Sequence, residues 1–207
     1  MEPSEGELVH KSKMGDLVAF ETLVLRYQRQ VYTLSYRFMG NHEDASDLAQ
    51  EAFVKVYASL QSFREEASFK TWLFHITANV CRDALRQRRR KQIVVSLDAP
   101  VPVEDGTIER QLTDLTTSPD EIYDGKEKMS YLQKFINNLP PEYRLVLVMR
   151  DVQGFSYEEI AMSVGCSPGT VKSRLNRARR TLRDKIMQHE ELLAPEDRLF
   201  KERRGAS

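Results

Sequence analysis

Between Ser167 and Arg177 the chain sets out side chains suited to holding a polyanion. Lys172, Arg174 and Arg177 are cations, and Ser167, Thr170 and Ser173 are hydroxyl donors. Pro168 and Gly169 are compact and leave room for close approach. Such groups pair with phosphates, and an arginine or lysine can also reach the O6 and N7 edge of guanine. A second set recurs every three or four residues: Thr71, His75, Asn79, Arg82, Arg86 and Arg89. Beside it lies the loop "SFREEASF", which carries Phe63 and Phe69. Cationic and polar groups next to aromatic rings suit unstacked bases. Phe63 can equally be a stacking platform or a core residue, whereas Trp72 reads as core. A third set, Asp44, Asp47, Gln50, Glu51 and Val54, is acidic and repels nucleic acid. It is either a solvated face or a protein-binding one. The histidines, cysteines and carboxylates do not converge in any catalytic or metal-ligand spacing, and CxxC and HExxH motifs do not occur. No catalytic residue, metal or cofactor is expected.

Helices must position these sets. Phe20, Leu23, Val24, Tyr27, Val31, Leu34 and Phe38 form a helical stripe between Asp16 and the stop at Gly40. Ala45, Leu48, Ala49, Ala52, Phe53, Val56, Tyr57 and Leu60 form another over Glu43 to Leu60. Ser68 is placed to cap a third helix with Phe69, Trp72, Leu73, Ile76, Val80 and Ala84 inward. The pattern then stops in "VSLDAPVPVEDGTIERQLTDLTTSPDE", which reads as a flexible acidic linker. Ser118, Pro119 and Glu121 form a capping box that restarts helix, and Met129, Leu132, Ile136 and Leu139 carry it to Pro140-Pro141. A helix with Leu145, Val148 and Met149 inward follows. Ser156 and Glu159 box the next one, which Gly165 ends, and Ser167-Pro168 opens the last.

A short helix, a turn at Gly165 to Ser167 and a longer basic helix make a helix-turn-helix over Ser156 to Leu175. The alternative is a charged helix on the outside of a bundle. The expected fold is all-α, with two small helical domains joined by an acidic linker. The charge distribution agrees. The 31 Lys and Arg balance 31 Asp and Glu, but Phe63 to Lys91 holds eight basic and three acidic residues. Ile93 to Lys128 holds nine acidic and three basic, and Cys166 to Lys185 seven basic and one acidic. Segregation of this kind points to nucleic acid. Cys81 and Cys166 each fall in a helical pattern and read as reduced, buried thiols. No signal-peptide core or apolar run of membrane-spanning length is present. A soluble, cytoplasmic protein is expected.

The residues also resemble a family. "NHEDASDLAQEAFVKVYASLQSF", "FREEASFKTWLFHITANVCRDALRQRRRK" and "LPPEYRLVLVMRDVQGFSYEEIAMSVGCSPGTVKSRLNRARRTLRDKI" are similar, in that order, to three segments of bacterial sigma factors of the extracytoplasmic-function (ECF) group. These are the helix docking on the β′ clamp helices of RNA polymerase, the promoter −10 segment and the −35 reader. The similarity spans roughly Met14 to Met187. It implies a region 2-like domain over 14–92, a linker over 93–118 threading toward the RNA-exit path, and a region 4-like domain over 119–187. Residues 188–207 form an extension outside the resemblance.

The resemblance implies polymerase contacts by Asp44, Asp47, Leu48, Gln50, Glu51 and Val54. It implies −10 contacts by Phe63, Arg64, Ser68, Lys70, Thr71, His75, Asn79, Arg82 and Arg86, with one base flipped out. It implies −35 contacts by Ser167, Pro168, Gly169, Thr170, Lys172, Ser173, Arg174 and Arg177. Implied partners are core RNA polymerase (β′ clamp helices and β flap), promoter DNA and an anti-sigma factor, often membrane-tethered, in a stress or envelope response. The loop departs from the family in reading "REE" where a small residue often follows the arginine. Two rival readings are a helix-turn-helix regulator that binds duplex DNA without polymerase, and a helical enzyme. The second lacks a convergent side-chain set.

Overall fold

The computed structural model describes residues 3–96 and 129–204, with side chains described at 3–88, 90 and 129–189. Every regular element among them is helical. Helix α1 (Glu5–Lys13) opens on a capping box between Ser4 and Glu7, a signal legible in "SEGE" but not among the expected elements. It buries Leu8 and Val9, and the Glu5 carboxylate accepts from the Tyr27 hydroxyl. Burial first, and then that carboxylate, hold the Tyr27 phenol above its usual range.

Helix α2 (Leu17–Met39) starts where Asp16 accepts from the amides of Val18 at 3.0 Å and Ala19 at 3.1 Å. It ends at Gly40, whose φ of 89° needs a glycine. A Cβ there would also run into the Asn137 side chain. Helix α3 (His42–Ser59) is capped by Asn41 and lies along α2. A 3₁₀ turn (Leu60–Ser62) leads into the loop 63–68, and Ser68 accepts from the Thr71 amide at 3.1 Å to start α4 (Phe69–Ser96). The helix therefore runs past the expected linker start at 93. The remainder of that linker, and the Ser118–Glu121 capping box, lie outside the described residues.

Helix α5, described over 129–137, buries Ile136 and reaches Leu139 before Pro140. Helix α6 (Pro141–Leu147) passes into a π-helical turn (Val148–Val152), so the expected single helix changes pitch at Val148. Helix α7 (Tyr157–Val164) has the Ser156–Glu159 capping box and ends at Gly165, with φ 69°. Helix α8 (Pro168–Arg204) continues through most of the 188–207 extension. His189 of α8 meets Tyr131 and Phe135 of α5, with ring centroids 4.1 and 5.5 Å apart. Cys166 lies half-buried in the turn between α7 and α8 rather than in a helix, because Gly165 has already reversed the backbone.

The two halves do not stand apart. Their apolar residues form one continuous core, from Val31, Leu34 and Phe38 through Leu73 and Phe74 to Phe155, Ile160, Val171 and Leu175. Burying each such side chain contributes about 1.5–3 kcal/mol. Phe74 of α4 meets Phe155 at 4.8 Å between ring centroids. Arg144 of α6 is buried. It donates to the carbonyls of Phe38, Asn137 and Leu139 and lies over the Phe38 ring. A cation at the carbonyl end of α2 is well placed for the helix dipole. Arg37 and Gln133 bond at 2.9 Å, and Gln153 donates to the Gln30 carbonyl at 3.1 Å. Among the described residues no helix is long and apolar enough to cross a membrane.

Candidate nucleic-acid and polymerase interfaces

The helix-turn-helix forms as expected from its local chemistry. Ser167 accepts from the Thr170 amide at 3.2 Å and fixes the start of α8. Val171, Leu175 and Ala178 are buried on one side of α8. That leaves Ser167, Pro168, Gly169, Lys172 and Ser173 exposed around its N-terminal turns, with Thr170 and Arg174 half-buried beside them. Lys172 and Arg174 enter no ion pair among the described residues. A positive dipole end, backbone amides and unpaired cations together favour phosphate. Arg177 is exposed and donates to the Tyr143 hydroxyl at 3.3 Å. Arg179 is held by both oxygens of Asp151, so less of its charge is available to a ligand.

The α4 stripe comes together as a network, but it is covered. His75 Nδ1 lies 2.7 Å from the Ser163 carbonyl, and His75 Nε2 lies 3.1 Å from Asn79 Nδ2. A proton on Nδ1, with Nε2 accepting, satisfies both contacts. Asn79 accepts from Arg82, whose other nitrogen reaches the Val164 carbonyl at 3.4 Å. Ser163 donates to the Thr71 carbonyl at 3.3 Å. Lys70 sits over the Phe155 ring at 4.5 Å. Thus Thr71, His75 and Arg82 bond to α7, the first helix of the helix-turn-helix, Asn79 links the last two, and Thr71 is only 3% exposed. Arg86, farther along, is exposed beside Asp83. Sequence periodicity placed these residues on one face and could not say what covers it. Met162 and Ser163 of α7 were not expected at this face.

At the end of the stripe a cavity of about 300 Å³ is lined by Phe63, Arg64, Glu65, Glu66, Ala67, Trp72 and His75, with Met162 at its edge. Ser68 and Arg64 are exposed. Phe63, open in sequence between a stacking platform and a core ring, lies on the core side. It is 6% exposed, stacked on Trp72 at 4.7 Å and edge-on to Phe69 at 6.0 Å, so its ring is mostly committed to the core.

On α3, Asp47, Gln50, Glu51 and Val54 are exposed on one side, and Asp44 is half-buried between Asn41 and Arg88. Glu51 pairs with Lys55 at 2.7 Å. Leu48 does not belong to this surface. It is 7% exposed and packs with Ala45 and Ala52 inside, because positions three and four apart share a helix face.

A helix-turn-helix reader joined to a second helical unit with its own basic face defines a DNA-directed protein of two helical units. Residues 23–91 match the family model for sigma-70 region 2, and residues 129–182 match that for sigma-70 region 4. The chain is 37% identical over 88% of its length to RNA polymerase sigma-H factor of Pseudomonas aeruginosa, covering 93% of that protein. It is 35% identical over 86% of its length to ECF RNA polymerase sigma-E factor of Escherichia coli K12, covering 92% of it. Against ECF RNA polymerase sigma factor SigE of Mycolicibacterium smegmatis the identity is 37% over 84% of the chain, which spans 65% of that longer relative. Among solved structures, the sigma factor RpoE of Bartonella quintana in complex with the anti-sigma factor NepR is 28% identical. It superposes with a TM-score of 0.64 over 81% of this chain and 96% of its own. CnrH in complex with the cytosolic domain of CnrY has the same fold at 23% identity and a TM-score of 0.64, over 87% of this chain and 96% of its own. The chain belongs to the ECF RNA polymerase sigma factors.

Proposed function

We propose that this chain binds core RNA polymerase in the cytoplasm and directs initiation by reading two promoter elements. The unit over 14–92 takes the −10 element as unpaired strand, and the unit over 119–187 takes the −35 element as duplex. Two nucleic-acid faces of different character on one chain carry this reading. A regulator of duplex DNA has use for the exposed face of α8 but none for the α4 stripe with an aromatic-walled cavity at its end.

Lys172, Arg174 and Arg177, with the hydroxyls of Ser167, Thr170 and Ser173, suit the −35 groove and its phosphates. Arg64, Ser68, Lys70, Thr71, His75, Asn79, Arg82 and Arg86 suit the −10 strand. Asp44, Asp47, Gln50, Glu51 and Val54 suit the β′ clamp helices, and the second unit suits the β flap. The chain acts by binding rather than by a catalysed reaction. The covered stripe adds a condition. Unpaired bases reach His75, Asn79 and Arg82 only after α7 leaves α4. Core polymerase is the partner that holds the two units apart, at the spacing that lets both engage one promoter. RpoE of Bartonella is seen with an anti-sigma factor, and a partner of that class suits this chain as the opposing ligand.

In vitro transcription with core polymerase on a random promoter library tests the reading. The expected product set shares two short motifs at fixed spacing. Failure to bind core polymerase, with tight sequence-specific duplex binding by the free chain, would favour the plain regulator.

A further inference from the structure

The loop from Phe63 to Ser68 contains the only non-glycine residue with positive φ among the described residues, Glu65 at 60°. A side chain in this left-handed region carries a conformational cost and persists only where its surroundings hold it. The holding group comes from α1. Lys13 Nζ lies 2.9 Å from Glu65 Oε1, donates to the Phe63 carbonyl at 2.7 Å and sits 5.2 Å from the centre of the Phe63 ring. In return, Gln61 donates to the Lys13 carbonyl at the end of α1. Lys13 is largely shielded, with 22% of its side chain exposed. One ammonium thus grips the backbone on the near side of Arg64 and the carboxylate on its far side. The residues it grips line the cavity.

We infer that Lys13 is a positioning residue for −10 recognition: it holds the Phe63–Ser68 loop in its left-handed shape at Glu65 and thereby sets the wall against which an unpaired base is read. This rests on the reading of that loop given above. Lys13 lies outside the residues matched to sigma-70 region 2. It also neutralises a carboxylate at the edge of a site that takes a polyanion, so its loss would both loosen the loop and leave Glu65 to repel the strand.

The test uses full-length protein with core polymerase on bubble templates whose non-template −10 bases are changed one at a time. Lys13→Met keeps the aliphatic stem and removes the charge. It should lower discrimination among the −10 variants about tenfold, the scale of a lost charged hydrogen bond. Affinity for core polymerase and dependence on the −35 sequence should stay unchanged, which loss of α1 packing would not allow. Lys13→Arg should retain discrimination. Glu65→Gly accepts the left-handed backbone without help, so Lys13→Met placed in that background should cost little. Glu65→Gln keeps the strained backbone and the Lys13–Phe63 bond but removes the ion pair without touching α1, so it should lower discrimination in the same direction, though less, even where Lys13→Met folds poorly. Unchanged discrimination in both Lys13→Met and Glu65→Gln overturns the inference, and so does an equal loss from Lys13→Met in the wild-type and Glu65→Gly backgrounds. A wild-type holoenzyme indifferent to every −10 base overturns the loop reading itself, and that result is visible before any variant is made.

Discussion

Replacing Ser163 by lysine should open the molecule. Ser163 is fully buried, and its hydroxyl and carbonyl both bond to α4. Three hydrogen bonds join this turn of α7 to α4, at 2.7, 3.3 and 3.4 Å. At about 1 kcal/mol each, less for the two long ones, they contribute roughly 2 kcal/mol to closure. A lysine at 163 finds no space, at a cost of about 1–3 kcal/mol, and buries an ammonium against α4. Separation of α7 from α4 relieves both. Phe74, Phe155 and Arg144 still oppose separation, so the net shift should be about 1.4–3 kcal/mol, or roughly ten- to a hundredfold in population. A ligand that binds only the open form gains apparent affinity by the same factor. The assay pairs small-angle scattering of the free chain with its binding to a bubble template bearing the −10 strand, and Ser163→Ala serves as a mild control. The expected result is a larger radius of gyration together with tighter binding. A folded Ser163→Lys chain that stays compact would refute the reasoning, as would one that expands without binding the strand more tightly.

Three further outcomes follow from the same geometry. Asp47→Arg combined with Glu51→Arg should weaken core polymerase binding about tenfold or more while the melting temperature stays within a degree or two, because both side chains are exposed; a binding titration and a thermal melt check this. Arg174→Ala should cost about 1–3 kcal/mol at a promoter with a −35 element, confined to one base pair if the guanidinium reads an edge and uniform if it holds a phosphate; a promoter-variant series separates the two. Burial pushes the Cys81 thiol up to about 12, so in the native chain a thiol reagent at pH 8 should label Cys166 and spare Cys81 until denaturant is added. Because the folded thiol holds its proton more tightly than the unfolded one, its contribution to stability is present below the ordinary thiol range and is lost as pH rises toward 12; denaturant midpoints across that range should fall accordingly.

Local rules made much of this protein legible from its residues. Asp16, Ser68 and Ser156 begin helices because a short polar side chain accepts the first free amides. Gly40 and Gly165 end them because they take the left-handed backbone. The helical spacing of Val171 and Leu175 puts them inside and leaves Lys172 outside, which exposes the face of α8. These signals act within a few residues and need no tertiary partner. The same rules also marked Leu48 as buried, against its assignment to the polymerase surface, since it shares a helix face with Ala45 and Ala52.

What the fold alone decided lies between elements distant in the chain. The α4 stripe was readable as one polar face, but its cover is α7, whose Ser163 is 88 residues from His75. Phe63 could be a stacking platform or a core ring until Trp72 and Phe69 closed around it. Glu65 reveals its left-handed backbone, and Lys13 its grip on the loop 52 residues away, only when α1 is docked on α2. Such contacts depend on how whole helices pack, and packing is set by the summed burial of many side chains rather than by any motif.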